Sequence, residues 1–153
     1  MIVKAIAAFD VKSCGPDTDL ATAAKIMWDC DCGIVPVVNE ERKLIGVVTD
    51  RDICIAAATR AARPSDIRVN DVMAREVATC GIDDDVQVAL RTMKDARVRR
   101  LPVVDAQEHL AGVISMNDLV MRAECRSGAD VPGNAFLEVM KAICAHTHET
   151  VAA

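Results

Sequence analysis

Aromatic side chains are almost missing from this chain of 153 residues, which has no Tyr, two Phe (Phe9 and Phe136) and one Trp at position 28. A protein that holds single-stranded nucleic acid stacks bases on aromatic platforms, and there is little here to build them from. Positive charge is short as well. Eighteen Lys and Arg stand against 23 Asp and Glu, and the net charge of −5 does not draw a polyanion to the surface. No apolar run approaches the ~20 residues of a bilayer-spanning helix. The stretch Met1-Ile2-Val3-Lys4-Ala5-Ile6 has no basic region followed by a long apolar segment, so no signal peptide is expected. Nucleic acid and membrane are therefore not expected as partners, and the cytoplasm is the expected compartment. The seven cysteines are odd in number and scattered, which suits reduced thiols better than a disulfide framework. Cys30-x-Cys32 lacks the two-residue spacing of a redox or zinc pair and reads as buried thiols.

What is present is apolar side chain, 52% of the residues, enough for a globular core without structural metal. An internal repeat organises it. Residues 13–53 and 79–119 align without a gap at an offset of 66, with 14 identities in 41 positions. These include Gly15/Gly81, Asp17/Asp83, Met27/Met93, Pro36/Pro102, Gly46/Gly112 and Asp52/Asp118. In each copy acidic capping residues (Asp17-Thr18-Asp19; Asp83-Asp84-Asp85) precede an apolar stripe of helical spacing. The stripes are Leu20, Ala23, Ala24, Met27 and Val86, Ala89, Leu90, Met93. Two short strands follow in each, around Val35-Pro36-Val37-Val38 and Leu44-Ile45-Gly46-Val47-Val48, and around Leu101-Pro102-Val103-Val104 and Leu110-Ala111-Gly112-Val113-Ile114. Their prolines suggest strand starts or edges. A second helix comes next. Residues 60–67 read as a linker, 126–134 as a closing loop, and Phe136, Val139, Met140 and Ile143 as one face of a last helix. Neither copy has strand enough for its own sheet, so the two are expected to pack face to face.

The most informative local pattern is Gly46-Val47-Val48-Thr49-Asp50-Arg51-Asp52 with its copy Gly112-Val113-Ile114-Ser115-Met116-Asn117-Asp118. Both Thr49-x-x-Asp52 and Ser115-x-x-Asp118 resemble a capping box with Asp for Glu, an arrangement that needs no ligand. The same geometry also suits a ligand. A helix start after a strand offers free N–H groups, a hydroxyl can meet phosphate or sugar, and a carboxylate accepts two bonds from a cis-diol.

The doubled pattern, with a Pro-Val-Val strand before each Gly-x-x-Ser/Thr-x-x-Asp, resembles the CBS domain family (named after cystathionine β-synthase) over nearly the whole chain, in the manner of small stand-alone bacterial members. The resemblance implies an α/β fold of tandem CBS repeats, β-α-β-β-α each, packed with pseudo-two-fold symmetry. Residues 1–66 form the first repeat with its linker, 67–125 the second, and 126–153 a C-terminal helix and tail. It implies clefts that bind AMP, ADP, ATP, S-adenosylmethionine or a related ligand. Carried over by position, Asp52 and Asp118 are the ribose-binding aspartates, with Thr49 and Ser115 near ribose and phosphate. Ile34, Val35, Arg100, Leu101 and Pro102, with Thr79-Cys80 and Ser13-Cys14, stand around the adenine. Arg99 and Arg100 are expected to join Thr49, Arg51 and Asp52 in one cleft, while Ser115 and Asp118 face Gly33 and Ile34, so the two sites are unequal. One departure concerns the opening of each repeat: Val69-Asn70-Asp71-Val72-Met73 has the family's usual form, whereas Val3-Lys4-Ala5-Ile6-Ala7 lacks its Asp and Met.

Arg97, Arg99 and Arg100 have a competing reading as a solvated basic face. Cys144, His146 and His148 offer soft and imidazole ligands at alternating positions, part of a zinc shell or a solvent-facing tail. No histidine is placed to activate a Ser or Cys nucleophile, and a non-enzyme is expected. The resulting expectation is a regulatory sensor of an adenosyl ligand, with no other cofactor, as a homodimer that acts on an unidentified protein partner. The rivals are a metal- or redox-linked stress protein and a ligand-free dimerisation module.

Overall fold

The computed structural model describes residues 1–122 and 133–144. Helix α1 (Leu20–Asp29) begins where the Asp19 carboxylate accepts the Thr22 N–H, and it buries Leu20, Ala23 and Met27. Strands β1 (Ile34–Val38) and β2 (Leu44–Thr49) pair antiparallel, Ile34 opposite Thr49 and Val37 opposite Gly46. Helix α2 (Asp50–Thr59) follows β2 with no loop. The second copy repeats the order: β3 (Cys80–Gly81), α3 (Val86–Ala96) capped by Asp85, β4 (Arg100–Val104), β5 (Leu110–Ser115) and α4 (Met116–Val120). All four stripe residues of α3, Val86, Ala89, Leu90 and Met93, are buried, as helical spacing requires. A last helix, α5 (Gly133–Cys144), lies against α3 with Val139 buried, and Lys94 pairs with Glu138 at 3.8 Å. No described helix is long and apolar enough to cross a membrane.

Pro36 lies in β1, an edge strand of the two-stranded sheet, as expected. Pro102, however, lies at neither a strand start nor an edge. It is the third of five residues in β4, the middle strand of the order β3-β4-β5, and Pro36 is likewise third of five in β1. The reason is visible at Pro36. Its carbonyl accepts the Cys14 N–H at 3.0 Å and Val38 donates to the Cys14 carbonyl at 2.9 Å. The proline nitrogen faces that same side, where a single bridge requires no donor from it.

The chain forms two compact units, and each is assembled from pieces of both copies. The first unit is Phe9–Val77 with Val104–Gly112; the second is Met1–Ala8, Ala78–Val103 and the chain from Val113 onward. In the first unit Leu20, Ala23, Met27, Val35, Val37, Val48, Ile67 and Val69 close a core. Val69–Asp71 is a short 3-10 helix there, with the Val69 N–H on the Thr18 carbonyl at 2.8 Å and Asn70 on Pro16 at 2.9 Å. Ala74 and Val47 then exchange both backbone bonds, at 2.9 and 3.0 Å. The second unit reproduces this 66 residues earlier: Val3–Ala5 is a 3-10 helix, Val3 donates to Asp84 at 2.8 Å, Lys4 to Ile82 at 3.0 Å, and Ala8 exchanges with Val113. The opening segment of the first copy thus keeps its conformation without the family's Asp and Met. Val3 and Val69 alone are buried in these turns, and both copies have that valine.

Candidate functional site

Each copy contributes a candidate half-site at the junction of strand and helix. In the first unit the Thr49 Oγ1 donates to Asp52 Oδ2 at 2.7 Å, and the Thr49 N–H reaches the same oxygen at 2.9 Å. The Asp52 N–H returns a bond to Thr49 Oγ1 at 3.2 Å. In the second unit Ser115 donates to Asp118 Oδ2 through Oγ at 2.5 Å and through its N–H at 2.8 Å, and the Asp118 N–H returns to Ser115 Oγ at 3.3 Å. The capping boxes read from sequence are both present. The four bonds that reach a carboxylate all fall on Oδ2. Among the described residues nothing donates to Oδ1 of either aspartate, and both carboxylates are half-buried.

The surroundings follow from the strands. Val35 and Leu101 are 0% exposed, their side chains spent on their own units' cores, and Pro102 is buried, so these positions offer a ligand backbone alone. Ile34, Arg100 and Thr79 are half-buried, and Arg51 and Arg99 are exposed. The Arg99 carbonyl accepts the Met116 N–H at 2.9 Å, which ties the start of β4 to the first residue of α4. Gly33 and Asp50 hold the equivalent places in the first unit, with a longer bond of 3.4 Å. A Cβ at Gly33 would fall 2.9 Å from Asp50 Oδ2, so the Asp50 carboxylate occupies the space that a side chain at 33 would take. Its Oδ1 accepts the Arg51 N–H at 2.8 Å. Sequence reasoning passed over Asp50; the only signal was its mismatch with Met116 across the repeat.

Cys14 and Cys80 occupy equivalent buried positions. Burial pushes the Cys14 thiol up to about 11, against a smaller opposing hydrogen bond with Thr18. Burial, with the Asp84 charge adding to it, pushes Cys80 up to about 12. Both thiols are protonated and unreactive at neutral pH. Cys30 and Cys32 correct the sequence reading: Cys30 is exposed and Cys32 half-buried, because α1 ends at Asp29 and the turn that follows lies at the surface. His109 sits in the β4–β5 turn as expected, its Nδ1 3.0 Å from Asp105 Oδ2. Cys144 ends α5 exposed, and His146 and His148 lie outside the described residues. No described cluster of His, Cys, Asp and Glu can hold a metal ion.

Comparison with known proteins places the chain in a family. The CBS domain pattern matches residues 3–58 and again 69–124. Inosine-5′-monophosphate dehydrogenase of Methanocaldococcus jannaschii is 34% identical over 113 residues, 74% of this chain and 22% of that enzyme, so this chain spans about a fifth of its length. The CBS domain pair of protein MJ0100, crystallised with 5′-methylthioadenosine and S-adenosyl-L-methionine, superposes with a TM-score of 0.72 at 26% identity, covering 79% of this chain and 94% of that one. Hypoxic Response Protein I, crystallised with two coordinated zinc ions, gives a TM-score of 0.72 at 25% identity, covering 79% of this chain and 98% of that one. With the repeat, the paired capping boxes and the matched pattern in agreement, the chain belongs to the CBS domain family and carries two CBS repeats.

Proposed function

We propose that this chain is a non-catalytic sensor that binds an adenosyl ligand at the Thr49/Asp52 and Ser115/Asp118 half-sites and passes the binding event to a protein partner. The observation that carries this reading is the duplicated carboxylate with Oδ2 held by the helix cap and Oδ1 left to accept. A capping box needs only one carboxylate oxygen, and a ribose cis-diol can be met by the other. The complex of the MJ0100 pair with two adenosyl ligands supports the ligand class. Within each unit the backbone before the motif proline meets the base, Ile34-Val35 in one and Arg100-Leu101 in the other, where Thr79 and Cys80 line it. Arg99 and Arg100 meet the phosphate of a phosphorylated ligand. The protein acts in the cytoplasm as a homodimer.

Thermal unfolding with AMP, ATP, S-adenosylmethionine and a guanine nucleotide tests this. At about 100 times its dissociation constant an adenosyl ligand adds about 2.7 kcal/mol of stability, and the guanine nucleotide adds less. No shift with any adenosyl compound at millimolar concentration leaves the ligand-free dimerisation reading in its place. A second reading, a zinc-linked protein using Cys144, His146 and His148, is favoured by the zinc-bound Hypoxic Response Protein I. Stoichiometric zinc in the purified protein, lost on replacing Cys144, selects it.

A further inference from the structure

We infer that Asp50 sets the ligand class of the Thr49/Asp52 half-site, which takes an adenosyl ligand with a neutral or cationic 5′ group and disfavours a 5′-phosphate. The inference rests on the adenosyl reading above and goes further, because the two half-sites, alike in their capping boxes, differ in charge beside them. Asp50 is the first residue of α2, where free N–H groups and the helix dipole would otherwise attract an anion. Its carboxylate is exposed and has defined neighbours. Oδ1 is held by the Arg51 N–H at 2.8 Å, and Oδ2 stands in the space left by Gly33. Asp52 stands two residues on in the same first turn, so the start of α2 carries two carboxylates against the exposed guanidinium of Arg51. In the second half-site the first helical residue is Met116, which is buried and uncharged, and Arg99 replaces Gly33. A phosphate arriving at the first half-site meets like charge, whereas a sulfonium or amine meets a preset acceptor.

Calorimetry isolates the half-site in an Asp118→Asn background, with S-adenosylmethionine, 5′-methylthioadenosine and AMP as probes. Asp50→Asn should tighten AMP about three- to tenfold and weaken S-adenosylmethionine by a similar factor, with the neutral thioether changed by less than about twofold. Both effects should shrink in high salt. Asp50→Met, which copies the second repeat, should act in the same direction and guards against a side effect of the amide. The inference fails if the three probes move together, if none moves, or if AMP already binds the parent half-site more tightly than S-adenosylmethionine, as arginines reaching it would cause. Binding by the wild type but not by the Asp118→Asn protein also sinks it while leaving the sensor reading standing on the other half-site. Absence of binding by the wild type removes the sensor reading itself.

Discussion

At Asp52 the cap and the proposed ligand contact can be separated. Oδ2 closes the cap of α2 with Thr49, while Oδ1 accepts from no described residue and is the oxygen proposed to meet a ligand. Asp52→Ala should cost the fold about 0.5–2 kcal/mol through the lost cap. It should cost adenosyl binding about 1.5–3 kcal/mol through the lost charged acceptor. Denaturant unfolding and calorimetry on the same variant measure both, and a variant that is less stable yet binds normally marks Asp52 as a structural cap alone. The capping boxes were legible because a hydroxyl and a carboxylate three apart at a strand end have few other uses. Asp50 was not legible, because an acidic residue in the first turn of a helix looks like ordinary dipole compensation. Only the position of its carboxylate beside Gly33 separates the two uses.

Among the elements, α1 and α3 start from acidic caps whose chemistry sets an acid limit. The Thr22 N–H holds Asp19 below the usual carboxylate range, and the Gln87 N–H does the same for Asp85. In the β4–β5 turn the His109 N–H holds Asp105 down likewise. A carboxyl lowered in the folded state binds its proton more readily when unfolded. Its contribution is therefore complete above the unfolded value near 4 and is lost as pH falls through the lower folded value. Circular dichroism should show helix loss beginning below about pH 4. Asp19→Asn with Asp85→Asn, which keeps both caps without the titrating group, should flatten that dependence; an unchanged acid profile would place the sensitive groups elsewhere. The helices themselves were plain from periodicity. The mid-strand prolines were not, because whether a missing N–H matters depends on what lies beside it, and at Pro36 that neighbour is one residue, Cys14.

For the molecule as a whole, the repeat boundary and the packing boundary do not coincide. Val3 belongs by sequence to the first copy, yet its N–H is bound to Asp84 and it is buried in the second unit. The sequence offset alone could not reveal this, since a segment of apolar residues without period carries no mark of which core it enters. Val3→Ala should remove about 1.5–3 kcal/mol of burial. Hydrogen exchange should then quicken first at Val86 and Val113, in the unit that loses the side chain, rather than in residues 9–77. The opposite order would show that the segment stabilises its own copy.

The crossed opening segments also bear on inheritance. A gene fragment cut at the boundary of the duplication encodes one copy whose opening segment has lost its host and whose core has lost its guest. Neither half can be moved into another protein as a working part, so shuffling between genes must carry the two together.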